Sequence, residues 1–466
     1  MPSLDVAEII SQRNREALAL NEQHVNPQFA RVLRTIGFDR AWATGEGAHL
    51  IDADGRRYLD MLGGYGVFAV GRNHPAVRAQ LERFLAARTA SLPQMGVTAL
   101  AGVLAEELLR RAPAHLGAVV FTNSGAESIE TALKLARAAS GRVRIVHCAH
   151  GFHGLTLGAL SVNGNADFRE RFGPLLPDVA GVPFGDLDAL ERELRGDDVA
   201  AFVVEPVQGK TVRLPAPDYL PRAQELCRRH GTLLILDEVM TGLGRTGRFL
   251  ALEHWGLQPD IVTLAKALSG GYVPIGAVLT TRRVHERVFD SMERAVVHSS
   301  TFASNDLAAA AGIATLSALD DDRLVERAAR MGDLLLELTR PLSERHEIVK
   351  DVRGLGLMWA IELQPPRRGL TNRRVWQLVE RGQPGLWAQL LTVPLFAKHR
   401  ILTQVSGHHV NIVRALPPFV IEEADVHRFA EAVEDVLTAL RRPPRAITQF
   451  GLTVARHSVR GAARAR

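Results

Sequence analysis

Residues 233–249 read LLILDEVMTGLGRTGRF. Four consecutive apolar residues, Leu233 to Leu236, end at an acidic pair, Asp237-Glu238, and a glycine-rich turn follows. A short run that is apolar at every position fits a strand covered on both faces of a sheet. An acid at the end of such a strand is costly to bury unless it meets a cation. Asp237 is therefore a candidate for a paired, buried carboxylate, while Glu238 reads more readily as an exposed loop acid.

The same signature recurs on either side. Short apolar runs at Val119–Phe121, Val143–Cys148, Val199–Val204 and Ile261–Leu264 end in polar or glycine-rich turns. Helical patterns separate several of them. In the first, Ile129, Ala132, Leu133 and Ala136 follow the i, i+3, i+4, i+7 spacing of one helix face. Such alternation predicts an α/β fold with a mostly parallel central sheet, placed at residues 70–335. Residues 1–69 contain a helical start and a hairpin signal, AHLIDADGRRYLDML, turning at Asp54-Gly55. Residues 336–440 contain a strand pair around Gly354 and Gly356 and the helix FAEAVEDVLTAL. Together the two ends predict a smaller α+β lobe. The stretch 364–400 has no clear pattern, and residues 441–466 read as a basic tail.

Composition narrows the function classes. The chain has 466 residues, 46% hydrophobic and 23% charged, which excludes disordered and collagen-like readings. No apolar run approaches the roughly 18 residues of a membrane span, and no secretory signal is visible at the N-terminus. Two cysteines, Cys148 and Cys227, do not make a disulfide framework, so a reducing cytoplasm is expected. The net charge of +5 could suggest nucleic acid. Seven arginines and no acid fall within 441–466, however, which leaves −2 for the body. No nucleic-acid or membrane partner is expected.

In open α/β sheets ligands bind beyond the carboxyl ends of the strands. After Val119–Phe121 comes Thr122-Asn123-Ser124-Gly125-Ala126, a turn that opens a helix. It reads as an ordinary N-cap or as an anion site. After Ile261–Leu264 comes Ala265-Lys266-Ala267-Leu268-Ser269-Gly270-Gly271. A lysine among small apolar residues at a sheet's end can be desolvated into a neutral nucleophile. An anion site, a buried carboxylate and a Schiff-base lysine on successive strands suit one cofactor, pyridoxal 5′-phosphate. No metal is called for.

The stretches NSGAESIETALKLAR, HGFHGLTLGALSV, VVEPVQG, LDEVMTGLGRTGRF, PDIVTLAKALSGG, STFASND and VRALPPFVI occur in that order. This set resembles the motifs of class III aminotransferases, fold-type-I pyridoxal phosphate enzymes of the ornithine, acetylornithine, putrescine and GABA kind, over about residues 40–440. The resemblance implies that Lys266 carries the cofactor and shuttles the proton, and that Asp237 pairs with the pyridinium nitrogen. It further implies that Ser124, Gly125 and Ala126 hold the phosphate, that Val239 and Phe152 flank the ring, and that His153 and Glu205 stand beside it. Thr301 would reach the phosphate from a partner subunit, making a homodimer with shared sites. Arg414 would grip a substrate carboxylate, and Tyr65 would line the substrate pocket.

Three departures stand out. Met240 replaces a glutamine that donates to the cofactor's phenolic oxygen. Lys210 replaces a glutamate that masks the arginine corresponding to Arg414; it either makes the pocket more positive or points away into solvent. The stretch 364–400 is longer than in compact members. The expected function is transfer of an amino group from an amine or amino acid, with an ω-amine or diamine among the candidates. The acceptor would be a keto acid such as 2-oxoglutarate or pyruvate. The alternatives are a racemase, aminomutase, decarboxylase or lyase on the same cofactor, and a non-catalytic binding protein on the same scaffold.

Overall fold

The computed structural model describes residues 4–93, 95–366, 370–407 and 410–441; the arginine-rich tail 442–466 lies outside them. The chain divides into two compact units. Among the described residues, one comprises 64–332 and 354–358, the other 4–63, 333–353 and 359–441.

The larger unit is built on seven strands: β1 (Leu116–Thr122), β2 (Arg144–Cys148), β3 (Val179–Val182), β4 (Val199–Val204), β5 (Leu233–Asp237), β6 (Ile261–Leu264) and β7 (Gly276–Thr281). Their order in the sheet is β1-β7-β6-β5-β4-β2-β3. The pairs β2–β3, β2–β4, β4–β5 and β5–β6 are parallel. Only β7 runs antiparallel, to both β1 and β6. Every residue of β4, β5 and β6 is buried, as two covered faces require.

The helix Gly125–Ser140 starts at Ser124, whose hydroxyl accepts from Glu127 N, and stops at Gly141 with φ +71°. Its apolar stripe of Ile129, Ala132, Leu133 and Ala136 is buried in one cluster with Ile145, Ala201, Ile235 and Val278. Each large aliphatic side chain buried this way contributes about 1.5–3 kcal/mol. That burial locks the helix to the sheet and fixes where its N-terminus points.

Strands β3 and β7 were not among the apolar runs read from the sequence. β3 is four residues, VAGV, and only Val182 is fully buried. β7 keeps its apolar residues between Gly276 and two threonines. Neither presents the near-continuous apolar run of β4, β5 and β6.

The smaller unit contains one four-stranded sheet and most of a second. One has the order Trp42–Glu46, His49–Asp52, Arg57–Asp60, Ile401–Leu402. The hairpin turns at Gly55, φ +78°, where Asp52 Oδ1 accepts from Asp54 N and Arg56 N. The other sheet has the order Val349–Leu355, Met358–Leu363, Ile412–Ala415, Gln404–Val405. The stretch without a clear sequence pattern holds two helices, Leu370–Gly382 and Leu386–Ala397. Among the described residues, no helix is long and apolar enough to cross a membrane.

Candidate active site

A cavity of about 450 Å³ opens where several strands of the larger unit end. Its lining includes Ser124, Gly125, Ala126, Phe152, His153, Asp237, Val239 and Lys266, eight of the residues expected from the sequence. They come from the turn after β1, the loop after β2, the end of β5 and the turn after β6. Chain topology thus assembles residues more than 140 positions apart.

The anion cradle comes from local geometry. Gly125 and Ala126 precede the first intrahelical bond, which Ser128 N makes to Ser124 O, so their N–H groups face out of the helix start. Gly125 is required by packing: a Cβ there would stand 2.7 Å from Val239 Cγ1. The helix dipole adds its positive end at the same place.

Asp237 is 3% exposed and fully partnered. Its Oδ2 meets His153 Nδ1 at 2.7 Å, and its Oδ1 accepts from Val239 N at 3.0 Å and from Thr263 Oγ1 at 3.3 Å. Burial alone would lower the His153 pKa. The hydrogen bond and charge of Asp237, with the charge of Glu205, outweigh it and raise the imidazole above its ordinary value. A protonated His153 beside Asp237 is the arrangement this favours.

Glu205 follows β4 and is buried. Its two oxygens accept from Phe152 N at 2.9 Å and Gly209 N at 2.7 Å. It thereby ties the loop bearing Phe152 to the turn bearing Lys210. Burial drives its pKa up, against the pull of His153 and the two N–H donors.

Lys266 opens a short helical turn, Lys266–Ser269, with a backbone φ of +43°. A non-glycine residue in this region carries about 1–3 kcal/mol of strain, and such residues concentrate at functional sites. The turn is closed by Gly270 at φ +61°. Ala265, Ala267 and Leu268 are buried, so the lysine emerges from an apolar base.

The other expected residues lie outside this lining. Met240 packs against two glycines: a Cβ on Gly209 would meet its Cγ at 3.0 Å and one on Gly66 its Sδ at 3.2 Å. Tyr65 is 44% exposed with φ +62°. Thr301 is exposed. Lys210 sets its ammonium over two rings, 3.8 Å from the centroid of Phe168 and 5.1 Å from that of Phe152. Arg414 belongs to the smaller unit, on the strand Ile412–Ala415, where it is 6% exposed and donates to Gln404 Oε1 at 3.4 Å.

The reading of Glu238 as an exposed acid is corrected. It is 1% exposed and accepts from Thr241 Oγ1 at 2.8 Å, Ala251 N at 2.8 Å and Leu252 N at 2.7 Å. Burial outweighs those donors and pushes its pKa up to about 7. The sequence reading also passed over Tyr272, Pro274 and Ile275, which line the cavity just after Gly270-Gly271. The glycine pair was the available signal, since a chain reversal there returns the following residues to the site.

These residues fit pyridoxal phosphate. The cavity offers a helix start for a phosphate, a buried carboxylate for a ring nitrogen, and a lysine on an apolar base.

Comparison with known proteins agrees. The family model for class III aminotransferases matches residues 37–437. The chain is 38% identical to putrescine aminotransferase of Pectobacterium atrosepticum over 442 residues, covering 92% of this chain and 89% of that protein. It is 34% identical over 450 residues to the aminotransferase PigE of Serratia, covering 90% of this chain and 53% of PigE, so it spans about half the length of that relative. Among solved structures it is similar to the ornithine aminotransferase of Toxoplasma gondii, which holds pyridoxal phosphate at partial occupancy in its active site. The TM-score is 0.76 at 32% identity, covering 87% of this chain and 91% of that one. The chain belongs to the class III aminotransferases, enzymes of the fold-type-I architecture that depend on pyridoxal 5′-phosphate.

Proposed function

We propose that the protein moves an amino group from a primary amine or amino acid, of the ω-amino or diamine type included, to a keto acid such as 2-oxoglutarate or pyruvate. The observation that carries this reading is the shared cavity of Lys266 and Asp237, with Asp237 bonded to His153. Similarity to a putrescine aminotransferase supports an amine donor.

When bound, pyridoxal phosphate supplies an aldehyde that condenses with amines and a ring that draws electrons from the carbon bearing the amino group. In the proposed site Asp237 is the partner of the ring nitrogen, and His153 orients it through the Nδ1 contact to Oδ2. Ser124, Gly125 and Ala126 receive the phosphate. Val239 and Phe152 flank the ring, an aromatic face suiting a flat partner. Lys266 holds the cofactor through its Nζ and then moves the proton at the substrate carbon. Arg414 anchors a substrate carboxylate through its planar fork, and Tyr65 lines the substrate side. Thr301, exposed beside Phe302, acts on the phosphate of a partner subunit in a homodimer. A reducing cytoplasm accords with two free, buried cysteines.

The test is a half-reaction. Purified protein given an amine donor and no acceptor should lose its visible absorption with one equivalent of carbonyl product, and a keto acid should restore the band. A protein that racemises or decarboxylates its substrate, yet never stores the amino group, contradicts the proposal. So does one whose spectrum no amine changes.

A further inference from the structure

Lys210 stands at the end of a segment held with little freedom. Glu205 Oε2 accepts from Gly209 N at 2.7 Å, and a Cβ on Gly209 would come within 3.1 Å of that oxygen and 3.0 Å of Met240 Cγ. The backbone entering Lys210 is therefore fixed against Glu205 and Met240. From there its ammonium lies 3.8 Å from the ring centroid of Phe168 and 5.1 Å from that of Phe152. The two rings meet edge to face, with centroids 5.6 Å apart at 71°. Phe168 comes from a separate short helix, Ala166–Arg169, whose start is capped by Asn165. One cation thus joins three segments of chain: the loop of Phe152, the turn of Phe168 and the strand exit at Gly209.

Of the three, only Phe152 lines the cavity. Its backbone is tied by Phe152 N donating to Glu205 Oε1 at 2.9 Å. That bond fixes the backbone of the residue and leaves the setting of its ring about χ1 and χ2 to the ring's own contacts. A cation is attracted to the faces of aromatic rings by their quadrupole, and the attraction grows where water is excluded. Lys210 bears on two such faces at once.

We propose that Lys210 is a positioning residue that acts through Phe152, its charge clamping the Phe152 and Phe168 rings so that Phe152 is pre-set as a wall for the cofactor. The proposal rests on the reading that Phe152 flanks the pyridoxal phosphate ring. Pre-setting a wall strengthens binding because the ordering is done before the ligand arrives.

The experiment measures the dissociation constant of pyridoxal phosphate from the full-length apoprotein by equilibrium dialysis. Lys210→Gln and Phe168→Leu should each weaken binding about five- to tenfold, the size expected when a contact to two rings is lost. The double variant should be no more than about twofold weaker than either, because the residues act as one unit. Lys210→Arg, which keeps a cation able to stack, should stay within about twofold of the native protein. A purely structural lysine would not be rescued by charge alone. Lys210→Leu gives a second neutral replacement should Lys210→Gln fail to fold. The proposal is overturned if the neutral variants bind as tightly as the native protein, if Lys210→Arg is as weak as Lys210→Gln, or if the two losses add in full. A native protein that binds no pyridoxal phosphate overturns this proposal together with the proposed function. Native binding with unaffected Lys210 variants overturns this one alone.

Discussion

His153 Nδ1 lies 2.7 Å from Asp237 Oδ2, both groups buried at the end of the strand Leu233–Asp237. A buried carboxylate left with neutral donors alone is poorly compensated. The histidine supplies the opposing charge, and its raised pKa is the other side of the same interaction. Replacing His153 with Asn keeps a polar group of similar reach and removes the charge. We expect His153→Asn to lower kcat/KM by about 10- to 100-fold, as removal of a partner from a buried charge typically does. Steady-state kinetics with a saturating keto acid check this. Because the folded pKa lies above the ordinary 6.5, the stability contributed by His153 protonation is complete below that pH and lost as pH rises through the higher folded value.

Glu238 makes a stability prediction independent of catalysis. Its folded pKa of about 7 exceeds the ordinary 4.5. Between those values the folded protein binds a proton that the unfolded chain has released, so stability falls as pH rises across this window. The full effect is on the order of 3 kcal/mol. Glu238→Gln removes the titration, so urea midpoints of native and variant should draw together or cross between pH 4.5 and 7. Parallel curves would contradict the burial argument. Glu238→Ala should cost about 2–4 kcal/mol near pH 4.5, because it strands Thr241, Ala251 N and Leu252 N, and the cost should shrink toward pH 7 as the native protein itself loses stability.

Gly125 links packing to cofactor binding. The Cβ added in Gly125→Ala would stand 2.7 Å from Val239 Cγ1, so either the helix start or the valine must shift. Both line the same cavity. We expect a loss of pyridoxal phosphate affinity of about tenfold or more, with a smaller change in thermal midpoint, measured by dialysis and by melting of the apoprotein.

Strands β4, β5 and β6 were legible because each is a near-continuous apolar run, buried at every position. The helix Gly125–Ser140 was legible from the spacing of Ile129, Ala132, Leu133 and Ala136. What escaped depends on tertiary context. Val179–Val182 is an edge strand, and short edge strands carry little pattern. Glu238 was misread because two of its donors, Ala251 N and Leu252 N, lie 13 and 14 residues further along and meet it only in the fold. The positive φ of Lys266 is a backbone property that residue type does not announce. The direction taken by Lys210 depended on Phe168, 42 positions away, which no motif singled out.

Lys266 is proposed as the amine that carries the cofactor. Lys266→Ala should abolish amino transfer, by at least about 1,000-fold, since nucleophile and proton shuttle are lost together. The most direct measurement is chemical. Native protein is treated with borohydride, which makes a lysine–cofactor linkage permanent, and its peptides are then analysed by mass spectrometry. A pyridoxyl phosphate label is expected on the peptide bearing Lys266 and on no other. A label on Lys210 or another lysine, or no label in a protein that has bound pyridoxal phosphate, would contradict it.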